Sequence, residues 1–165
     1  MPNDTQTIHL GPDEGNAFSA VGDVYRVLAS GRQTGDVYAL SEIRVSPNNG
    51  PPPHIHSRED ECFFVLEGEI DFQVGDKRIT ARPGTFIQGP RGIPHSFKNN
   101  TQLPARMLGF VTPAGFENFF NEFARPVASF DSPAIPASKE EVDKLLAAAP
   151  KYGLQILPSK RKCMR

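Results

Sequence analysis

Between Glu61 and Gly84 the chain reads ECFFVLEGEIDFQVGDKRITARPG, and this run narrows the possible folds more than any other. Glu67-Gly68 and Gly75-Asp76 punctuate it, and Ile70, Phe72 and Val74 alternate with polar residues. Alternation with a period of two marks strands with one buried face, and paired turn residues mark the reversals between them, so the run predicts an antiparallel meander. Short apolar stretches lie on either side. VYRVLA and VYALSEIRV are separated by the turn-rich SGRQTGD, two more short strands fit TFIQGPRGIPHSFKNN around a Gly/Pro turn, and ARMLGFVTP supplies another. The 14 glycines and 16 prolines suit many short strands joined by tight turns.

The tail changes character. In AGFENFFNEFA, Phe116, Phe119, Phe120 and Phe123 stand at i, i+3, i+4 and i+7, one face of a helix. SPAIPAS reads as a linker. In SKEEVDKLLAAA, Ser138 caps a second helix and Glu141 completes a capping box; Pro150 and Gly153 end it. Strands first and helices last predict an all-β sandwich or barrel with a C-terminal helical addition. The expected division is an N-terminal arm over 1–20, a barrel with the first C-terminal helix over 21–125, and a linker with a helical extension over 126–165.

A length of 165 residues fits one domain. The net charge of −1 gives no reason to expect a nucleic acid or an anionic membrane as partner, and no stretch approaches the roughly 20 apolar residues of a membrane span. Cys62 and Cys163 make no disulfide framework, and the first residues have neither a basic start nor an apolar run. The expectation is a cytoplasmic protein.

Histidine is scarce, yet two of the four histidines fall in PPPHIHSREDE. Residues two apart in a strand point to one side, so His54 and His56 present two imidazoles there, with Cα atoms ~7 Å apart. Two such rings can converge on one cation. An acid is available in SREDE, and His95 lies in GIPHSF ahead of another alternating run. Strand parity continued from His56 favours Asp60. A turn at SRED would break that parity and place Glu61, Phe63 and Val65 on one side, so both acids stay open on this reasoning. His9 stands alone and takes no role.

Gly50 to Gly68 reads G-x3-H-x-H-x4-E-x6-G, and Gly84 to Asn99 reads G-x5-P-x-G-x2-H-x3-N. These resemble the two motifs of the cupin superfamily, in the right order. The short spacer between Gly68 and Gly84 resembles that of microbial single-domain cupins. The family's usual opening is longer than the three residues, all proline, that precede His54 here. The resemblance implies a double-stranded β-helix barrel in which His54, His56, Glu61 and His95 hold one divalent transition metal: Fe, Mn, Co, Ni, Cu or Zn. Four protein ligands leave one or two positions for water, substrate or dioxygen.

PPPHIHSREDECFFVLEGEIDFQVGD, TPAGFENFFNEF and KYGLQILP also resemble cupins related to bacterial quercetin 2,3-dioxygenases. In those enzymes the metal binds a deprotonated flavonol and dioxygen, and the ligand glutamate takes the substrate proton. The resemblance gives Glu61 both roles, and implies a dioxygenase acting on a phenolic or enol-bearing small molecule, with dioxygen as co-substrate. A non-redox isomerase or cyclase, or a small-molecule-binding cupin without turnover, are the competing expectations. Phe116, Phe119, Phe120 and Phe123 either pack a helix on the barrel or form an aromatic wall of the substrate pocket. Arg91 and Arg106 are either solvated or turned to an anionic substrate. A homodimer through edge strands is expected, as is common among cupins.

Overall fold

The computed structural model describes residues 7–158. Cys163 and the first six residues of the expected arm lie outside them. Strands β1 (Ala17–Ala20), β2 (Asp23–Ala29) and β3 (Ala39–Val45) come first, with a single helical turn, α1 (Gly31–Thr34), in the SGRQTGD spacer. Then follow β4 (His54–His56), β5 (Asp60–Glu67), β6 (Ile70–Val74), β7 (Lys77–Ala81), β8 (Phe86–Gly89), β9 (His95–Lys98) and β10 (Ala105–Thr112). After a 3-10 segment, Phe116–Glu122, come β11 (Arg125–Pro126), α2 (Lys139–Ala148) and β12 (Leu154–Ile156). No helix among the described residues is long and apolar enough to cross a membrane.

The strands form two antiparallel sheets. One runs β11-β1-β2-β3-β10-β5-β8, the other β12-β4-β9-β6-β7. Their inner faces share one core, with Ile43, Phe63, Val65 and Met107 from the first sheet against Ile70, Phe72 and Phe97 from the second. Strand β10 shows the cause plainly, since Ala105, Met107, Gly109 and Val111 are buried and the residues between them are not. The rings of Phe63, Phe72 and Phe97 meet at 5.2 to 5.8 Å between centroids, in tilted and edge-on arrangements that suit aromatic pairs. Two motif glycines are required by space. A Cβ at Gly50 would sit 2.1 Å from the Phe97 carbonyl oxygen, and one at Gly68, where φ is 78°, would sit 2.8 Å from the Ala105 Cβ.

The structure differs from the sequence reading at both ends. Ala17–Ala20, inside the expected arm, is a strand in register with β2 on one side and with Arg125–Pro126 on the other. The C-terminal extension is not only helical, because β12 pairs with β4. The Phe116–Glu122 segment is 3-10, not α-helical. Its N-terminal end is tied down: the Glu117 carboxylate accepts from Gly31 N at 2.8 Å and from Gly115 N at 2.6 Å. For a segment this brief, tertiary packing outweighs helical propensity. The second helix starts as expected, with Glu141 N donating to Ser138 Oγ at 3.1 Å. Glu141 is itself buried and also accepts from Val21 N and Arg125 Nη2, which pins α2 to the β1–β2 turn.

Candidate metal centre and its cavity

Strand β4 lies between β12 and β9, and His54 stands directly opposite His95. The two-residue period turns His54 and His56 to the same buried face, and His95 joins them. Strand β5 then brings in Glu61. Its Oε2 lies 2.9 Å from His95 Nε2, 3.2 Å from His56 Nε2 and 3.8 Å from His54 Nε2. One ligand atom from each of the four residues falls within 4.8 Å of every other.

The residues present fit a metal ion. His54 Nδ1 is 2.8 Å from the Pro52 carbonyl and His95 Nδ1 is 3.2 Å from the Ile93 carbonyl. A carbonyl only accepts, so each Nδ1–H donates there and Nε2 is the nitrogen left to bind a cation. Both ring nitrogens of His56 are buried without a hydrogen-bond partner, as is Glu59 Oε2, 3.5 Å from His56 Nδ1. Unpaired buried polar atoms are costly. A cation on Nε2, with Glu59 accepting from Nδ1–H, would satisfy all three.

Asp60 and Glu61 resolve against strand parity. The chain turns at Ser57–Glu59 between β4 and β5, so Glu61 faces inward and Asp60 faces solvent. Asp60 accepts from Arg91 N at 2.9 Å and from the Arg91 guanidinium. The same turn sends Glu59 inward, 4% exposed, a buried acid that the sequence reading missed; His56-x-x-Glu59 was its only signal. Arg106 pairs with Glu42 and Glu67. Neither arginine lines the cavity described below, so neither is placed to meet a bound anion. Cys62 is a free thiol.

Electrostatics ties His56 to Glu61. Burial alone would raise the Glu61 carboxyl, but the charge on His56 and the other two imidazoles beside it hold it well below the usual carboxylate range. Burial likewise works to lower the His56 imidazole, but Glu61 and Glu59 overcome it and raise it to about 9. A raised folded-state value contributes stability that is whole below 6.5 and lost as pH rises through about 9. Metal-free protein is therefore expected to melt at progressively lower temperature across that window. A metal ligand must give up the proton, so metal-loaded protein should lose this dependence. Asp23, raised by burial from 3.8 to about 6, acts below the window and leaves it clear. Melting curves with and without chelator check this, and a flat metal-free profile would contradict the charged pair.

A cavity of about 230 Å³ opens beside the cluster. His54, His56 and Glu61 line it, as do Phe116, Phe119, Phe120 and Phe123. The four phenylalanines also belong to a second apolar cluster with Val111 and Leu154, so the face is core and cavity wall at once. Phe116 meets the His56 ring edge-on at 4.3 Å. Asp23 and Tyr25, from β2, also line the cavity and were not singled out in the sequence; their only signal is a period-two pair on a strand.

Comparison with known proteins places this geometry. The family described as the cupin domain matches residues 41–111. Quercetin 2,3-dioxygenase of Bacillus subtilis (strain 168) is 23% identical over 142 residues, 86% of this chain and 41% of that protein. Probable germin-like protein subfamily 2 member 5 of Arabidopsis thaliana is 30% identical over 117 residues, 68% of this chain and 46% of that protein. The chain thus spans less than half the length of either relative. The crystal structure of an RmlC-like cupin from Shewanella frigidimarina superposes with a TM-score of 0.57 at 17% identity, covering 68% of this chain and 97% of that one, a likeness of fold. With two facing sheets in the double-stranded β-helix arrangement and both motifs on adjoining strands around the histidines, this chain belongs to the cupin superfamily.

Proposed function

We propose that the protein is a metal-dependent dioxygenase acting on a phenolic or enol-bearing small molecule. One observation carries the reading: Glu61 is shared between the histidine cluster and an apolar, aromatic-walled cavity. A base that also faces the substrate can take a hydroxyl proton where the substrate oxygen binds. The similarity to a quercetin 2,3-dioxygenase across most of this chain supports the same reaction class.

A divalent transition metal held by His54, His56, Glu61 and His95 would acidify a bound hydroxyl and offer open positions to dioxygen. The remaining work falls to the chain. Glu61 Oε2 accepts the substrate proton. The carbonyls of Pro52 and Ile93 hold the rings of His54 and His95, and Glu59 faces that of His56. Phe116, Phe119, Phe120 and Phe123 exclude water and offer flat apolar contact to an aromatic or enolic ring.

Protein loaded separately with Fe(II), Mn(II), Co(II) and Ni(II) should consume oxygen when offered flavonols and smaller catechol or enol compounds, at an oxygen electrode. At least one metal and substrate pair is expected to give uptake that chelator abolishes. Equal product formation under strict anaerobiosis would instead identify a Lewis-acid isomerase or cyclase. Tight binding with no turnover would identify a binding protein.

A further inference from the structure

The cavity wall carries two polar side chains, Asp23 and Tyr25, that the reaction at the metal does not use. Tyr25 stands opposite Ile43 in the β2–β3 register, and Ile43 is buried, so Tyr25 and Asp23 two residues earlier share the inward face. Asp23 is 3% exposed. Its Oδ1 accepts from Ser46 N and from Asn49 Nδ2, each at 2.8 Å. Among the described residues nothing donates to its Oδ2, and nothing pairs with the Tyr25 hydroxyl. The Tyr25 ring is fixed in a three-ring cluster with Phe18, stacked at 5.4 Å, and Phe120 at 4.8 Å, which meet each other at 5.1 Å. Its position on an otherwise aromatic wall is therefore set by packing, while its polar atom is left for a guest.

Size adds a limit. A cavity of about 230 Å³ falls below the roughly 300–1,000 Å³ of pockets that enclose drug-sized ligands. Gly109 lines it, and a Cβ there would lie 2.7 Å from Ile43 Cδ1, so glycine lets the Ile43 side chain pack against this wall.

We infer that Asp23 and Tyr25 form a second polar subsite, and that the substrate is a single-ring oxygen chelator carrying a further hydroxyl besides the pair that would bind the metal. The inference rests on the metal-dependent reading above and names the substrate class for that site. Asp23 Oδ2 accepts from that further hydroxyl and Tyr25 donates to it. A compound without that hydroxyl leaves both groups unpaired in the cavity, and a site built around a hydroxyl rejects such an analogue more strongly than its apolar contacts could.

The test uses two 4-pyranones that chelate through the same hydroxy-ketone pair. Kojic acid bears a hydroxymethyl group where allomaltol bears a methyl. Binding to Zn(II)-loaded protein, which supports no redox turnover, is measured by calorimetry. Wild type is expected to bind kojic acid at least about tenfold more tightly than allomaltol, the size of one good hydrogen bond to a charged group. In Asp23→Asn the amide oxygen stays with Ser46 and Asn49, which turns a donor into the cavity in place of an acceptor. The ratio should fall below about threefold there, and likewise in Tyr25→Phe, which keeps the ring packing. If Asp23→Asn does not fold, Tyr25→Phe decides. A wild-type ratio near one, or an unchanged ratio in the folded variants, overturns the subsite while leaving the metal reading intact. Binding of both compounds that is indifferent to Zn(II) overturns the metal reading and the subsite with it.

Discussion

Glu61→Gln is expected to cut turnover by roughly 10²–10⁴-fold while bound metal falls far less. Gln keeps the shape and one coordinating oxygen, but it cannot accept a proton. The loss should therefore fall on turnover of bound substrate. The neighbouring acid is the control. Asp60 faces solvent and is paired with Arg91, so Asp60→Asn should change turnover by no more than about threefold, as expected for an exposed ion pair. Steady-state kinetics alongside elemental analysis of each variant separates these effects. Equal loss of metal and activity in Glu61→Gln would make Glu61 a ligand only. A dead Asp60→Asn variant would transfer the role to the wrong side of β5.

How much of this was legible depended on range along the chain. Strand β10 and the β5–β7 meander could be read because their alternation and turn glycines are local. The Ser138–Glu141 box was visible for the same reason, although Glu141's further bonds to Val21 and Arg125 were not. His54 and His56 share a face by parity alone. His95 needed the motif, because its pairing with His54 joins distant segments. Parity could not be carried through the turn at Ser57–Glu59, which is why Asp60 and Glu61 stayed open on local reasoning. That turn also concealed Glu59.

The other misses have the same origin. Ala17–Ala20 is too short to show an alternating pattern, and its strand character comes from partners at 23–26 and 125–126. The phenylalanine spacing was visible, but the 3-10 geometry depends on Glu117 reaching Gly31 across the fold. Asp23 and Tyr25 look like ordinary strand residues until β3 and the phenylalanine wall surround them.

Everything proposed for this site requires the four side chains to hold one metal. Elemental analysis of protein purified without chelator tests this directly, on wild type, His54→Ala and His95→Ala, with circular dichroism to verify folding. Each substitution removes one of four ligands that lie within 4.8 Å of one another. Even altering an outer partner of a metal ligand typically costs about 10–100-fold in metal affinity, so deleting a ligand should cost at least that. The predicted result is close to one divalent transition metal ion per wild-type chain and a small fraction of that in each folded variant. Wild-type metal content in both folded variants would contradict it.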